Sequence, residues 1–299
     1  MTSRRIFFPL ATSLLFAGSF IAGKYTTADL GPLTTSLFRY LVALLFLALL
    51  AMMTRTCLRI RVRDLGKLIL LGLFGIVGYH FFFFSALRHT EVANTAIINA
   101  FSPIITGLMA ALFLRERLNR RNYVGVVIAV AGTIALLVRG QIQNMLQFKV
   151  NQGDGLMLLA VCSWGIYALL VKTLSERYSG LYLFFFATLF GTIMLLGLAF
   201  TENWIRQLEG ISTASVWSII YMGAAASGVG YLLYTLSIGE IGPTRTSSLV
   251  YSLVPIFVAT LAWIFFGEPI TTIMVISVVA ILIGLRLMMG RRPGTNPET

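Results

Sequence analysis

The second half of this chain repeats the first half at a constant offset of 152 residues, without a gap. The repeat is most informative at rare residue types, because the chain has only 8 Pro and 11 acidic residues. The coinciding positions are Val77-Gly78-Tyr79 with Val229-Gly230-Tyr231, Ser85 with Ser237, Pro103 with Pro255, Phe113 with Phe265, Glu116 with Glu268, and Gly132 with Gly284. Two halves that share one pattern are expected to fold into two related units.

The composition is that of a membrane protein. Hydrophobic residues make up 58% of the chain and charged residues 11%, whereas soluble domains carry roughly 25% charged residues. Continuously apolar runs of roughly 17–23 residues recur, which suits helices crossing a ~30 Å hydrocarbon core and not barrel strands. We predict an all-α fold of ten transmembrane helices, which begin near Ile6, Leu33, Gly66, Ala93, Asn122, Gly155, Leu181, Ser215, Thr244 and Ile270.

Each half holds five predicted spans, so the second copy enters the membrane from the opposite face. We predict a first five-helix repeat at 1–147, an inverted second repeat at 148–290 and a disordered cytoplasmic tail at 291–299. The first apolar run is expected to be a span and not a signal peptide, because the second half has a span in the same place. Inverted repeats are typical of secondary transporters with two alternating gates. The pattern therefore predicts a small-solute transporter.

The net charge of +12 is distributed asymmetrically. With a cytoplasmic N-terminus, 16 of the 23 basic residues fall in cytoplasmic segments and five on the other side, while Arg39 and Arg286 lie within spans. The positive-inside rule then predicts that both termini are cytoplasmic, in a multi-pass membrane protein. Such basic loops contact anionic lipid headgroups, so no nucleic-acid partner is expected. Cys57 and Cys162 lie on different elements, which argues against a structural disulfide.

A matched proline and glutamate pattern carries a family resemblance. Pro103 precedes Glu116 by thirteen positions, and Pro255 precedes Glu268 by the same distance. With these residues go Gly125, Gly132 and Gly284, the motif Gly18-Ser19-Phe20 with Lys24, and Trp164-Gly165 with Lys172. The pattern resembles the drug/metabolite transporter superfamily, in its ten-helix form with two EamA-type repeats. It departs from that family in having no Trp before Gly18, and Ser277 at the repeat position of Gly125.

Within the superfamily, the chain looks most like the bacterial aromatic amino acid exporters of the YddG type. This resemblance implies export of amino acids, aromatic and other neutral ones, from the cytoplasm across the cell inner membrane. The expected mechanism is alternating access. The residues alone indicate only a small organic solute. Export of other metabolites or drugs is one alternative, and a non-transporting membrane protein is another.

Ionisable groups inside spans are costly in lipid and therefore mark candidate sites. His80 is the only titratable group near the middle of a predicted span, and every carboxylate lies in a loop, at a span end or in the tail. This distribution favours facilitated movement or exchange over ion coupling. His80 is either a neutral packing residue or a proton carrier.

Polar and aromatic residues on several spans form the predicted substrate site. Polar stripes at i, i+3 and i+4 spacing face a bundle interior, where they bind a zwitterion or join helices. Arg39 either binds a solute carboxylate or snorkels to the interface. The predicted substrate-binding residues are Arg39, Tyr79, His80, Phe83, Asn99, Ser102, Trp164, Tyr231, Tyr234, Ser248, Tyr251 and Ser252.

The remaining motifs are interpreted structurally. Pro103 and Pro255 are either matched hinges or fixed kinks, and the glycines of the third and eighth spans serve tight packing or bend the helix beside a cavity. Glu116 and Glu268 are interpreted as helix-end residues and not as ligands. No catalytic motif is present, so we expect no enzyme activity, no metal site and no cofactor. The expected partners are amino acids and the lipid bilayer, around a monomeric protein.

Overall fold

The computed structural model describes residues 3–56, 58–113, 120–137, 151–175, 177–234, 237 and 243–288. Within these ranges the regular structure is helical throughout, which confirms the all-α class. Six helices are long and apolar enough to cross a membrane, and shorter apolar helices lie at Val92–Thr106, Tyr123–Gly132, Leu253–Phe266 and Thr272–Gly284. The boundary at 147/148, the tail at 291–299 and Glu116 lie outside the described residues.

The helices begin within about three residues of the predicted positions. In the first half they are α1 (Ser3–Asp29), α2 (Pro32–Met53), α3 (Val62–His89), α4 (Val92–Asn99), α5 (Ser102–Phe113) and α6 (Arg120–Leu137). In the second half they are α7 (Gln152–Leu174), α8 (Gly180–Ala199), the short α9 (Trp204–Leu208), α10 (Thr213–Tyr234), α11 (Pro243–Phe266) and α12 (Thr272–Met288).

The two halves interleave, because the second helix of each half packs against the third helix of the other half. Thus α8 packs on α3, and α2 packs on α10. A Cβ added to Gly72 would lie 2.6 Å from the backbone nitrogen of Gly191, and one added to Gly223 would lie 2.7 Å from the carbonyl oxygen of Arg39. Arg39 and Gly191 are repeat partners, and Gly223 lies one residue from the repeat position of Gly72, so a similar close backbone crossing occurs in both halves.

The last helices of the two halves, α6 and α12, cross each other at glycines. A Cβ added to Gly284 would lie 2.4 Å from the carbonyl oxygen of Gly125. A Cβ added to Gly132 would lie 3.2 Å from the carbonyl oxygen of Ser277. These two contacts exchange under the 152-residue offset, so the crossing has local two-fold symmetry. Small residues permit this close approach of two backbones in lipid.

Both third helices contain a wide π-helical segment at matching positions. In α3 it covers Gly72–Gly78, and in α10 it covers Tyr221–Gly230. Each segment ends immediately before a tyrosine that was predicted to bind substrate, Tyr79 or Tyr231. The segments remain helical, and their glycines pack closely on neighbouring helices, which supports the interpretation of tight packing. π-helical turns are frequent at functional sites.

The two prolines differ in their local geometry. Two turn residues, Ala100 and Phe101, separate α4 from α5, so Pro103 lies in the first turn of a new helix. Pro255 lies inside the continuous helix α11. Proline is tolerated in a first helical turn because the amide there has no intrahelical acceptor. A two-residue turn thus precedes Pro103 within the apolar helix Val92–Thr106, whereas the helix around Pro255 is continuous, and the hinge role of the two prolines stays a prediction.

Candidate functional site

A central cavity lies where α1, α2, α3, α7, α10 and α11 converge on the end of α4. Its free volume is about 70 Å³. Nine of the twelve predicted substrate-binding residues line it. The described lining residues are Phe16, Ser19, Phe20, Arg39, Tyr79, His80, Phe83, Asn99, Trp164, Tyr231, Tyr234, Tyr251 and Val254.

Of the predicted residues whose side chains are described, only Ser102 does not line this cavity. Ser102 is buried behind the wall, and its hydroxyl lies 2.6 Å from the carbonyl oxygen of Asn99 and 3.2 Å from Asn99 Oδ1. Ser102 therefore supports Asn99 from behind. The side chains of Ser248 and Ser252 lie outside the described part of the chain.

Sequence reasoning missed the contribution of the first helix. Phe16, Ser19 and Phe20 share one face of α1 by their i, i+3, i+4 spacing, and all three line the cavity. In the sequence, the motif Gly18-Ser19-Phe20 indicates only the family pattern and not a binding site. Val254 on α11 is the fourth missed residue, and its aliphatic side chain carries no signal that separates it from ordinary packing residues.

Aromatic rings form most of the cavity wall. The rings of Tyr79 and Phe83 stack at 5.9 Å, and the ring of Tyr79 lies 5.2 Å from that of Trp164. Tyr231 lies 5.4 Å from Phe16 and 6.4 Å from Trp164. Ring pairs in this range attract one another and give a rigid apolar wall. The cavity can therefore pack around a planar solute.

Arg39 supplies the permanent positive charge of the wall. Its side chain is only 5% exposed, so it does not snorkel to an interface. Nε donates a hydrogen bond to Ser227 Oγ (3.1 Å), and Nη1 donates to Ser19 Oγ (3.0 Å). Cζ lies 5.6 Å from the centre of the Tyr40 ring. The guanidinium is thus fixed by neutral partners on two other helices.

His80 is held by Tyr40 on the neighbouring helix α2. The Tyr40 hydroxyl lies 2.9 Å from His80 Nε2, and His80 Nδ1 lies 3.2 Å from the carbonyl oxygen of Ile76. Both contacts suit a neutral ring that donates from Nδ1 and accepts at Nε2. His80 borders the cavity as expected, and its hydrogen bonds fit the packing role.

Hydrogen bonds between the halves close the end of the bundle that carries Glu268, which we call the Glu268 end. The Glu268 carboxylate accepts from the backbone amides of Val92 (3.0 Å) and Ala93 (3.1 Å), at the first turn of α4. This is the helix-end role predicted for Glu268. The rings of Tyr25 and Phe266 lie 5.2 Å apart beside it. A carboxylate at a helix N-terminus is stabilised by the helix dipole.

Two further acidic residues join the halves at opposite ends of the bundle. Asp29, at the Glu268 end, accepts hydrogen bonds from the hydroxyls of Ser212 and Ser215. At the other end, the Tyr178 hydroxyl donates to Asp64 Oδ2 (2.8 Å). This hydrogen bond raises the pKa of Tyr178. Both contacts link the loop between the first two helices of one half to the loop between the second and third helices of the other.

The described residues contain no cluster of three or more His, Cys, Asp or Glu side chains with metal-binding geometry. The cavity chemistry rests instead on one guanidinium, neutral hydrogen-bonding groups and aromatic faces. Such a set can bind a solute, and it contains no nucleophile paired with a base.

Comparison with known proteins agrees with the duplicated fold. Residues 4–138 and 151–290 each match the EamA-like transporter family. The chain is 24% identical to the uncharacterized transporter YyaM of Bacillus subtilis over 282 residues, 94% of this chain and 92% of that protein. It is 25% identical over 299 residues to a probable terminal-alkyne amino-acid exporter of Streptantibioticus cattleyicolor, with 99% of this chain and 97% of that protein covered.

A solved crystal structure shares the fold, with a TM-score of 0.62 and 16% identity over 96% of each chain. Relatives such as YyaM are named as transporters and not as enzymes.

Proposed function

Because the chain belongs to the EamA-like transporter family, we propose that it exports amino acids, aromatic and other neutral ones, by alternating access. The observation that carries this proposal is the central cavity, whose walls come from both halves and combine a buried guanidinium with aromatic rings. The inverted repeat supplies two gates that open in turn around one site. The amino-acid exporter among the relatives supports the substrate class.

In the proposed arrangement the protein lies in the cell inner membrane. It crosses this membrane ten times, and both termini are cytoplasmic. Placing the N-terminus inside puts 16 of the 23 basic residues in cytoplasmic segments. The Glu268 end then faces outward, because α1 and α3 run toward it. Hydrogen bonds and ring contacts across that end support a state in which the outer gate is closed. The working unit is taken to be a monomer in lipid.

Flux in proteoliposomes tests this function. Purified protein is reconstituted, and uptake of a panel of labelled aromatic and non-aromatic amino acids is measured with and without a pH gradient. We expect saturable flux that is independent of the gradient, because no carboxylate among the described residues lines the cavity. Flux that follows the gradient would instead make His80 the leading proton carrier.

A matched pair of tryptophan substitutions tests whether the flux depends on the central cavity. Trp164 lines the cavity, whereas Trp263 on α11 is 58% exposed and does not line it. Since an aromatic contact contributes about 0.5–1.5 kcal/mol, Trp164→Ala should raise the half-saturation concentration for phenylalanine about two- to tenfold. Trp263→Ala should change it less than about twofold. Equal effects of both substitutions would contradict the cavity as the site.

Two other functions remain as outcomes of this experiment. Saturable flux of other small metabolites or drugs, without amino-acid flux, would assign the protein to another branch of the same transport class. Absence of flux for every solute would favour a non-transporting membrane protein.

A further inference from the structure

The cavity has an uncompensated positive charge. Among its described lining residues, Arg39 is the only permanently charged side chain, and none carries a carboxylate. No described Asp or Glu oxygen lies within ion-pair distance of Arg39. The repeat partner of Arg39 is Gly191, which has no side chain, so the second half contributes no balancing charge at the equivalent position. A buried charge without a counterion is unfavourable, and it is relieved when an anion binds.

The guanidinium also has free donor capacity. Ser227 and Ser19 engage Nε and Nη1, and Nη2 makes no hydrogen bond to a described residue. The hydroxyl groups of these two serines fix the Arg39 side chain, but they are uncharged and do not neutralise its positive charge. Arginine commonly recognises a carboxylate through two parallel hydrogen bonds. A solute carboxylate in the cavity would supply both the missing charge and the missing acceptor.

The wall offers no corresponding anion for an ammonium group. The best described neutral acceptor is Asn99 Oδ1, and it already accepts a hydrogen bond from the Tyr79 hydroxyl (3.3 Å). The nearby His80 ring is engaged by Tyr40 and is not an anion at any pH of interest. The other described lining groups that an ammonium could meet are the hydroxyls of Ser19 and the tyrosines and the ring faces, and all of these are uncharged. Recognition of the two ends of a zwitterion is therefore unequal.

We infer that Arg39 is the carboxylate anchor of the transport site, and that the site selects aromatic monocarboxylates whether or not they carry an α-ammonium group. This inference rests on the proposed function and narrows it. It assigns specificity to the carboxylate and the ring of the solute, and it makes the amino group dispensable. N-acylated and deaminated analogues of aromatic amino acids are then substrates of the same site.

A ligand series on the wild-type protein tests the inference without any mutation. The probes are phenylalanine, N-acetylphenylalanine, 3-phenylpropanoate and phenylalaninamide, and the readouts are competition with labelled phenylalanine and thermal stabilisation of the purified protein. The two analogues that keep the carboxylate should compete within about threefold of phenylalanine. Phenylalaninamide should be at least about tenfold weaker, because it lacks the charge-assisted hydrogen bonds to Arg39.

Substitution of Arg39 tests whether its guanidinium is the group that binds the solute carboxylate. Arg39→Gln should remove the preference for phenylalanine over phenylalaninamide, and Arg39→Lys should keep part of it, because the charge is retained but the paired donors are lost. Circular dichroism and size-exclusion behaviour check that both variants fold. If neither variant folds, the wild-type ligand series still decides the question.

The outcomes separate this inference from the proposed function. If the protein transported phenylalanine but bound phenylalaninamide with equal affinity, Arg39 would not be a carboxylate anchor. The proposal of amino-acid export would still stand. If 3-phenylpropanoate competed much more weakly than phenylalanine, the conclusion that the amino group is dispensable would be wrong. Failure of all four probes to bind would overturn both proposals.

Discussion

At the scale of single residues, the cavity wall combines groups that are costly in lipid with partners that fix their position. Arg39 contacts serines on α1 and α10, and His80 contacts Tyr40 on α2. Each partner lies far from the residue it holds, by 188 positions in the case of Ser227. The sequence therefore marked Arg39 and His80 as unusual, but it carried no local signal for the residues that orient them.

Removing the Tyr40 hydroxyl should loosen His80. Tyr40 is fully buried, and its hydroxyl is within hydrogen-bonding distance of the imidazole. We expect Tyr40→Phe to lower the free energy of unfolding by about 1 kcal/mol, because a buried ring nitrogen loses its partner. Unfolding in detergent–SDS mixtures measures this change.

Tyr123→Phe is the control for Tyr40→Phe. The Tyr123 side chain is 58% exposed, so loss of its hydroxyl should leave stability within about 0.5 kcal/mol of wild type. If Tyr40→Phe were as stable as the control, the hydrogen bond to His80 would have no structural role.

At the scale of the elements, helix starts followed from sequence because they depend on local features. Apolar length places each span, and a polar or turn-forming segment ends it. The sequence predicts a kink or hinge at Pro103 inside one span, and the structure has a two-residue turn immediately before this proline. A proline at the second residue of a helix and one in the middle of a helix look the same in sequence. Only the backbone around Ala100 and Phe101 distinguishes them.

The crossing of α6 and α12 should be sensitive to a single methyl group. In Gly284→Ala the new Cβ would lie 2.4 Å from the Gly125 carbonyl oxygen, and a backbone atom cannot move aside without shifting its helix. We expect a loss of about 1–3 kcal/mol in the free energy of unfolding.

The control for this crossing is Gly197→Ala on α8, where no atom lies within 4 Å of the added Cβ. Alanine has the higher helix propensity, so this variant should be neutral or stabilised by up to about 1 kcal/mol. Unfolding midpoints of the two variants provide the comparison. Equal stabilisation by both substitutions would contradict the close crossing.

At the scale of the whole molecule, alternating access requires that the Glu268 end open during the cycle. Tyr25 on α1 and Phe266 on α11 lie in contact there, on helices from different halves. A covalent link between these positions should hold that end closed. Flux should then fall to background while the cavity still binds solute from the other side.

The link is made in a variant with Tyr25→Cys and Phe266→Cys, on a background with Cys57→Ser and Cys162→Ser. A short, reducible thiol crosslinker is added, and flux is measured before and after reduction. Each single-cysteine variant treated with the same reagent is the control. Unchanged flux in the fully crosslinked protein would rule out opening at this end as a step of transport.

The repeat could be recognised from sequence, but its consequence for packing could not. A constant offset of 152 residues relates the two halves, yet it does not state which helices touch. The structure interleaves α2 with α8 and α10, so cavity residues from both halves become neighbours. The offset also pairs Arg39 with Gly191, and through that departure from symmetry only one of the two halves contributes a fixed charge to the described cavity wall.

The amino-acid sequence by itself determined the membrane class, the duplication, the helix positions and most of the candidate cavity residues. These properties follow from composition, from the length of each apolar run and from residue type. Each of these depends on one segment of the chain and not on its neighbours in the fold. Tertiary structure decided that Ser19 and Ser227 fix Arg39, that Phe16 and Phe20 complete the wall, and that Glu268 caps α4. Those contacts depend on which helix faces meet, and helix packing between distant segments sets those faces.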